Sequence, residues 1–216
     1  MPLLRKDEGF TLVELMVTVA VFGVVSSVIL YNYSQFNTNI LITNYAYDVG
    51  LSIRKAQVYG VSVRQNVASS IQNDFSGSYG VHFDFTVTPV PASFVFFSDL
   101  PNGNPNHYDA STGEKLNEQF LPANYAFSNV CGVVGGSGVK ECSRGTPPLT
   151  YLDISFVRPE PDAIIESSNP SSLTKGYYQS AFICLKSPLG KYRKIIVQST
   201  GQISVSPLAA DPDCTS

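Results

Sequence analysis

Residues 10–31 form an apolar run whose only charge is Glu14. A helix of that length rises about 33 Å, enough to cross the hydrocarbon core of a bilayer. The pattern then becomes periodic. Ile42, Tyr45/Ala46, Val49, Ile53 and Ala56 recur at steps of three and four, which is one stripe along a helix. No proline stands between Pro2 and Pro89, although the chain contains 14, so nothing there forbids one continuous helix. The pattern predicts a helix over 11–59, apolar all round in its first half and amphipathic in its second, with Gly60 as its C-terminal stop. Two shorter helices meeting near residues 37–39 are the alternative.

Beyond residue 61 the period changes. Val81, Phe83, Phe85 and Val87 alternate with His82, Asp84, Thr86 and Thr88, the signature of a half-buried strand. Further strands are expected at 93–98, 151–157, 178–186, 192–199 and 202–206, with Thr200-Gly201 as a tight turn between the last two. Segments 99–118 and 131–148 are rich in Gly, Pro, Asn and Ser and read as loops. The elements predict an α+β fold: a long N-terminal helix whose second half packs against an antiparallel β-sheet. The sheet buries the stripe, and the stripe closes one face of the sheet.

Charge placement orients the apolar run. Arg5 and Lys6 precede it, and no Lys or Arg recurs until Arg54. The positive-inside bias puts residues 1–9 in the cytoplasm and everything beyond about residue 32 outside. A secretory signal peptide would have a shorter apolar region with a small-residue cleavage site at its far end. The net charge of −3 gives no reason to expect a polyanionic partner. All four cysteines, Cys131, Cys142, Cys184 and Cys214, fall in the exported part. Of the three possible pairings, local pairing as Cys131–Cys142 and Cys184–Cys214 is favoured in an oxidising compartment. A zinc site is the rival, without C-x-x-C spacing or a nearby His to support it. In a compartment that is not oxidising they are buried thiols.

The most informative residues are Gly9-Phe10-Thr11-Leu12-Val13-Glu14-Leu15. Gly9 presents no side chain to an approaching protease. An acid at the centre of a membrane helix costs roughly 2.5–3.5 kcal/mol on insertion scales, and less near the end, where the helix dipole favours it. Such an acid is a functional hypothesis by default. The segment resembles the prepilin class-III signal, the GFTLxE pattern of type IV pilins and type II secretion pseudopilins. The resemblance implies that a membrane-embedded aspartyl peptidase cuts after Gly9 and that the new N-terminus, Phe10, is N-methylated. Glu14 is then the buried acid, compensated by the Phe10 amine of its own or a neighbouring chain. That pairing would set the axial register of a filament.

The implied organisation is a leader at 1–9, a transmembrane and assembly helix at 10–31, its amphipathic continuation at 32–60, and an extracytoplasmic β-rich domain at 61–216. The implied location is the inner membrane, crossed once, and then a pilus or pseudopilus. Implied partners are other pilins or pseudopilins, the prepilin peptidase and the inner-membrane assembly platform, with no cofactor.

Leu51-Ser52-Ile53-Arg54-Lys55-Ala56-Gln57-Val58-Tyr59-Gly60-Val61 resembles the end of the long helix in GspH/FimT-type minor pilins. Phe96-Phe97-Ser98-Asp99, Asn102-Gly103-Asn104 and Tyr108-Asp109 resemble the strand and loop that follow it. Arg193-Lys194-Ile195-Ile196-Val197 and Gly201-Gln202-Ile203-Ser204-Val205 resemble the closing hairpin. Many major pilins kink the helix with a proline that this chain lacks, which points to a minor pilin or pseudopilin. Some FimT-like proteins bind DNA through an arginine after the closing glycine. Gln202 stands there, so nucleic acid is not an expected partner.

The alternative function is a pilus-tip binding module contacting DNA, a surface or a secreted substrate. Lys186, Lys191, Arg193 and Lys194 near the hairpin could serve it, although charges at a protected sheet edge explain them more simply.

Weaker patterns remain. Asp99, Asn102, Asn104, Asn106, Asp109 and Glu114 are hard oxygen donors of the kind calcium takes. Pro101 at the third position and the lack of Gly at the sixth break the EF-hand spacing, and ordinary turn chemistry suffices. No metal is expected. Catalysis has no foothold: there is no G-x-S-x-G, H-E-x-x-H, Walker loop or G-x-G-x-x-G, and no local signature joins Cys184, His82 and Asp84 into a triad.

Overall fold

The computed structural model describes residues 9–62, 65, 75, 77–86, 93–100, 104–168, 178–208 and 214, without the side chains of residues 32, 34, 207 and 208. One helix, α1 (Leu12–Val61), is followed by ten strands: β1 (Tyr79–Asp84), β2 (Ser93–Ser98), β3 (Lys115–Phe120), β4 (Ala126–Val134), β5 (Lys140–Cys142), β6 (Tyr151–Phe156), β7 (Ala163–Ser167), β8 (Tyr178–Lys186), β9 (Tyr192–Gln198) and β10 (Ile203–Leu208). The helix runs unbroken through residues 37–39. The chain forms two compact units, residues 1–39 and residues 40–216.

The first unit is the N-terminal part of α1, where apolar side chains stand exposed: Leu12, Val17, Phe22 and Leu30 are each more than half open to solvent. A helix hydrophobic all round and left uncovered suits a lipid surrounding. α1 is long and apolar enough to cross a membrane.

In the second unit the expected stripe is buried. Ile42, Ala46, Val49, Ile53 and Ala56 are all 0% exposed. They share one core with Val81, Phe83, Leu152, Ile154 and Ile165 and with Val130, Ile183, Ile195 and Val197. Those strand residues come from two five-stranded sheets, ordered β3-β2-β1-β6-β7 and β10-β9-β8-β4-β5. The expectation of one sheet is corrected to two, and every pairing is antiparallel.

Four strands are additional to those expected. β3 reads Lys-Leu-Asn-Glu-Gln-Phe and is mostly exposed, so it carries little apolar signal. β4 and β5 take residues 131–134 and 140–142 of the segment expected to be a loop. A disulfide pair and cross-strand hydrogen bonding hold them where local composition favours turns. β7 has only five residues.

Gly60 also has a different role. The helix continues through it to Val61. A Cβ on Gly60 would lie 2.3 Å from the Phe156 carbonyl oxygen, so glycine there permits the helix to approach the β6 backbone. Gly201 does terminate an element. It sits at φ +80 in the β9–β10 turn, where its N–H donates to Gln198 O at 2.8 Å.

Candidate functional site

The N-terminal motif is the start of α1. Thr11 stands just before the helix, and its hydroxyl accepts from Glu14 N at 3.3 Å. In return, Glu14 Oε2 accepts from Thr11 N at 3.1 Å and from Thr11 Oγ1 at 3.0 Å. This is a reciprocal capping box, which satisfies donors that the first helical turn leaves unpaired. It holds Glu14 at the positive end of the helix dipole. The Thr-x-x-Glu spacing of Thr11 and Glu14 is the sequence signal for this cap.

Phe10 is 83% exposed, and a Cβ built on Gly9 meets nothing within 4 Å. Among the described residues, then, nothing in the chain itself demands a glycine at position 9.

The cysteines are joined as Cys131–Cys142 and Cys184–Cys214. Cys131 and Cys142 are directly opposed in the β4–β5 register. Cys214 pins a C-terminal position onto β8. Cys131, Cys184 and Cys214 are buried with Phe182 in a second apolar cluster.

The oxygen-rich loop is organised by its own backbone. Asp99 Oδ2 accepts from Asn106 N at 2.9 Å and from Ser78 Oγ at 3.2 Å, and burial pushes the Asp99 carboxyl above the usual range. Glu114 is fully buried and accepts from Leu100 N at 3.2 Å and Asp109 N at 2.7 Å. Asp109 Oδ1 takes Ser111 N and Oγ, which hold its carboxyl below the usual range. Asn104 is exposed, and Asn102 lies outside the described residues. Among the described residues no group of three or more His, Cys, Asp or Glu could hold a metal ion.

The imagined triad is ruled out by its partners. Cys184 is in a disulfide, Asp84 caps the turn at Thr86, and His82 binds Asp153. β1 is covered on both faces rather than half-buried: His82 is 8% exposed, with the His107 and Tyr108 rings against it. Val87 lies outside the described residues.

The basic cluster is not an edge. β9 is paired on both sides, by β8 and β10. Arg193 turns toward the helix, with Nε donating to Thr43 Oγ1 at 3.0 Å. Lys194 lies over the Phe182 ring at 4.3 Å, and Lys186 over Tyr192 at 6.0 Å.

Two constellations escaped the sequence reading. The two histidines, distant along the chain, meet on one carboxylate: His82 Nδ1 and His107 Nδ1 each lie 2.6 Å from Asp153. The hydrogen bond to Asp153 lifts the His107 imidazolium above the ordinary histidine range, against the opposing effect of burial. Burial, with Asp153 adding to it, pushes the nearby Tyr151 phenol up to about 12. The second is Gln57, whose amide ties the helix to two separate backbone segments.

No curated protein and no solved structure matches the chain. Residues 4–30 match the family model of the prokaryotic N-terminal methylation motif, and over that segment the chain is type IV pilin-like.

Proposed function

We propose that the chain is the precursor of a filament subunit, a minor pilin or pseudopilin of a type IV pilus, a competence pilus or a type II secretion pseudopilus. The observation that carries this reading is the N-terminal segment itself. An uncovered Gly9–Phe10 bond immediately precedes a capped, lipid-suited helix that bears one acid in its first turn. A peptidase of the membrane cuts after Gly9 and the new Phe10 amine is methylated. Residues 1–9 face the cytoplasm, and the domain beyond residue 32 is exported. Arg5 and Lys6 before the span and two disulfides after it support that orientation.

The capping box gives Glu14 a role before and after assembly. In the single chain Thr11 supplies two donors to its carboxylate, which reduces the cost of holding the acid in the bilayer. In the filament the amine of a neighbouring Phe10 is a stronger, charge-assisted partner. Exchanging one for the other draws the apolar helices into register. Other pilins, the peptidase and the assembly platform are the partners this requires.

Mass spectrometry of the native protein tests the reading. The expected mature chain starts at N-methylated Phe10, and Gly9→Ala leaves the uncut precursor in the membrane. A wild-type protein that retains Met1 would overturn it.

A further inference from the structure

The outer face of the first sheet carries a row with three polar members beside one valine. In the strand register Val95, His82, Asp153 and Glu166 stand side by side across β2, β1, β6 and β7. Three of the four are buried, and residues 104–114 form a strap whose His107 and Tyr108 lie against His82 and Asp153. His107 enters from that strap to Asp153 Oδ2 at 2.6 Å, while His82 in β1 holds Oδ1. The Tyr108 amide adds a longer contact to Oδ2 at 3.4 Å. Tyr108 packs on Phe97 and His82, and the His107 ring packs on Tyr151 at 4.5 Å. The backbones of His82 and Asp153 are fixed by the β-ladder, whereas that of His107 belongs to a loop, its N–H donating to Asn104 O at 3.2 Å.

We propose that His107 is a proton-sensitive latch, which fastens the 104–114 strap to Asp153 in mild acid and loosens it as the surroundings become alkaline.

The carboxylates around His107 favour that direction. Asp153 and Tyr151 reach His107 from β6, Glu166 from β7, His82 from β1, Tyr108 and Asp109 from the strap, and Asp99 from its base. Four of these seven groups are acids and none is a lysine or arginine. A proton on His107 is therefore held by the Asp153 hydrogen bond and favoured by the carboxylates of Asp153, Glu166 and Asp109. The sign follows from linkage. A histidine whose affinity for protons is higher in the folded state contributes stability in full below its unfolded pKa of about 6.5. That contribution fades as pH rises through the higher folded value. The neutral ring still donates through Nδ1, so the strap loosens without detaching. An exported domain meets such pH changes directly.

The experiment is hydrogen exchange by mass spectrometry on the full chain in detergent, from about pH 5.5 to 8.5. Exchange of peptides spanning 104–114 is normalised to the β8–β9 hairpin to remove the intrinsic pH dependence. The expected result is strap protection that falls several-fold as pH rises, with the hairpin unchanged. His107→Asn replaces the Nδ1–H with a neutral amide N–H, and its strap should stay closed with no pH response. Constant wild-type protection, or an Asn variant that responds as the wild type does, would overturn the latch. NMR of the wild type gives an independent reading. The His107 ring should titrate above free histidine, with Tyr108 shifting at the same midpoint, and a midpoint at or below free histidine contradicts the proposal.

Discussion

Gln57 Nε2 donates to the carbonyl oxygen of Gly201 at 3.0 Å and to that of Pro161 at 2.7 Å. One helical side chain thereby serves two backbone acceptors from different parts of the sequence. Gly201 is buried, and Gln57 is 4% exposed, so water is a poor substitute for the lost donor. Gln57→Leu should destabilise the domain by about 2 kcal/mol, chiefly through the stranded carbonyl of Gly201, since Pro161 is exposed. For a chain of this size that is a fall in Tm of roughly 4–8 °C. Gln57→Glu should be worse at neutral pH, because it sets an acceptor against two acceptors. Thermal unfolding of both variants in detergent checks this, and a wild-type Tm for Gln57→Leu would show that the staple contributes nothing.

Two glycines in the same helix should respond in opposite ways to alanine. At Gly60 a Cβ would meet Phe156 backbone atoms at 2.3 and 2.8 Å, and backbone in a paired strand yields poorly. At Gly50 the nearest atoms are the methyls of Val205 and Ile203, at 3.6 and 3.9 Å, an ordinary contact. Alanine in a helix interior gains up to about 1 kcal/mol over glycine. Gly50→Ala should therefore raise denaturant resistance, while Gly60→Ala lowers it despite the same propensity gain. Equal shifts for both would mean that the helix does not approach β6 as closely as described.

Much of this architecture was legible because it rests on periodicity. The stripe from Ile42 to Ala56 predicted the buried helix face, and the apolar run before it predicted the uncovered one. The strands at 93–98 and 178–186 carry enough β-branched and aromatic residues to announce themselves. β3 and β5 do not, since their pairing comes from partners elsewhere in the chain. His82 read as the solvent face of an alternating strand. Period-2 alternation separates two faces, but it cannot show that a loop near residue 107 will cover the second one. The N-terminal site was legible as residue types in order. The reciprocal bonds between Thr11 and Glu14 were implicit in their spacing, whereas the meeting of His82, His107 and Asp153 depends on sheet register and had no local signal.

The two disulfides should differ in weight. Cys184–Cys214 closes a separation of 30 residues and Cys131–Cys142 one of 11. Chain-entropy arguments assign roughly 3–4 kcal/mol to the first and roughly 3 kcal/mol to the second. Paired substitution of Cys184 and Cys214 by Ala should be the more destabilising in guanidinium titrations. It should also release the C-terminal segment to carboxypeptidase, which the Cys131/Cys142 pair variant should not. If the C-terminus of the Cys184/Cys214 variant stays protected, some other contact holds it.

The roles assigned to Glu14 can be separated by substitution. Glu14→Gln keeps a side-chain oxygen that can accept from Thr11, so the helix start should persist, but it carries no charge for a neighbouring amine. Thr11→Val removes the hydroxyl of the cap and leaves the carboxylate in place. If the acid works chiefly between chains, Glu14→Gln should be cleaved and inserted normally and yet enter filaments at least about tenfold less. That factor corresponds to roughly 1.4 kcal/mol, in the range by which a charged hydrogen bond exceeds a neutral one. Thr11→Val should assemble close to normally. Quantifying each variant in sheared filaments against its level in the membrane gives the ratio directly. If Thr11→Val is lost from filaments while Glu14→Gln is retained, the capping box is what matters and the pairing between chains is not.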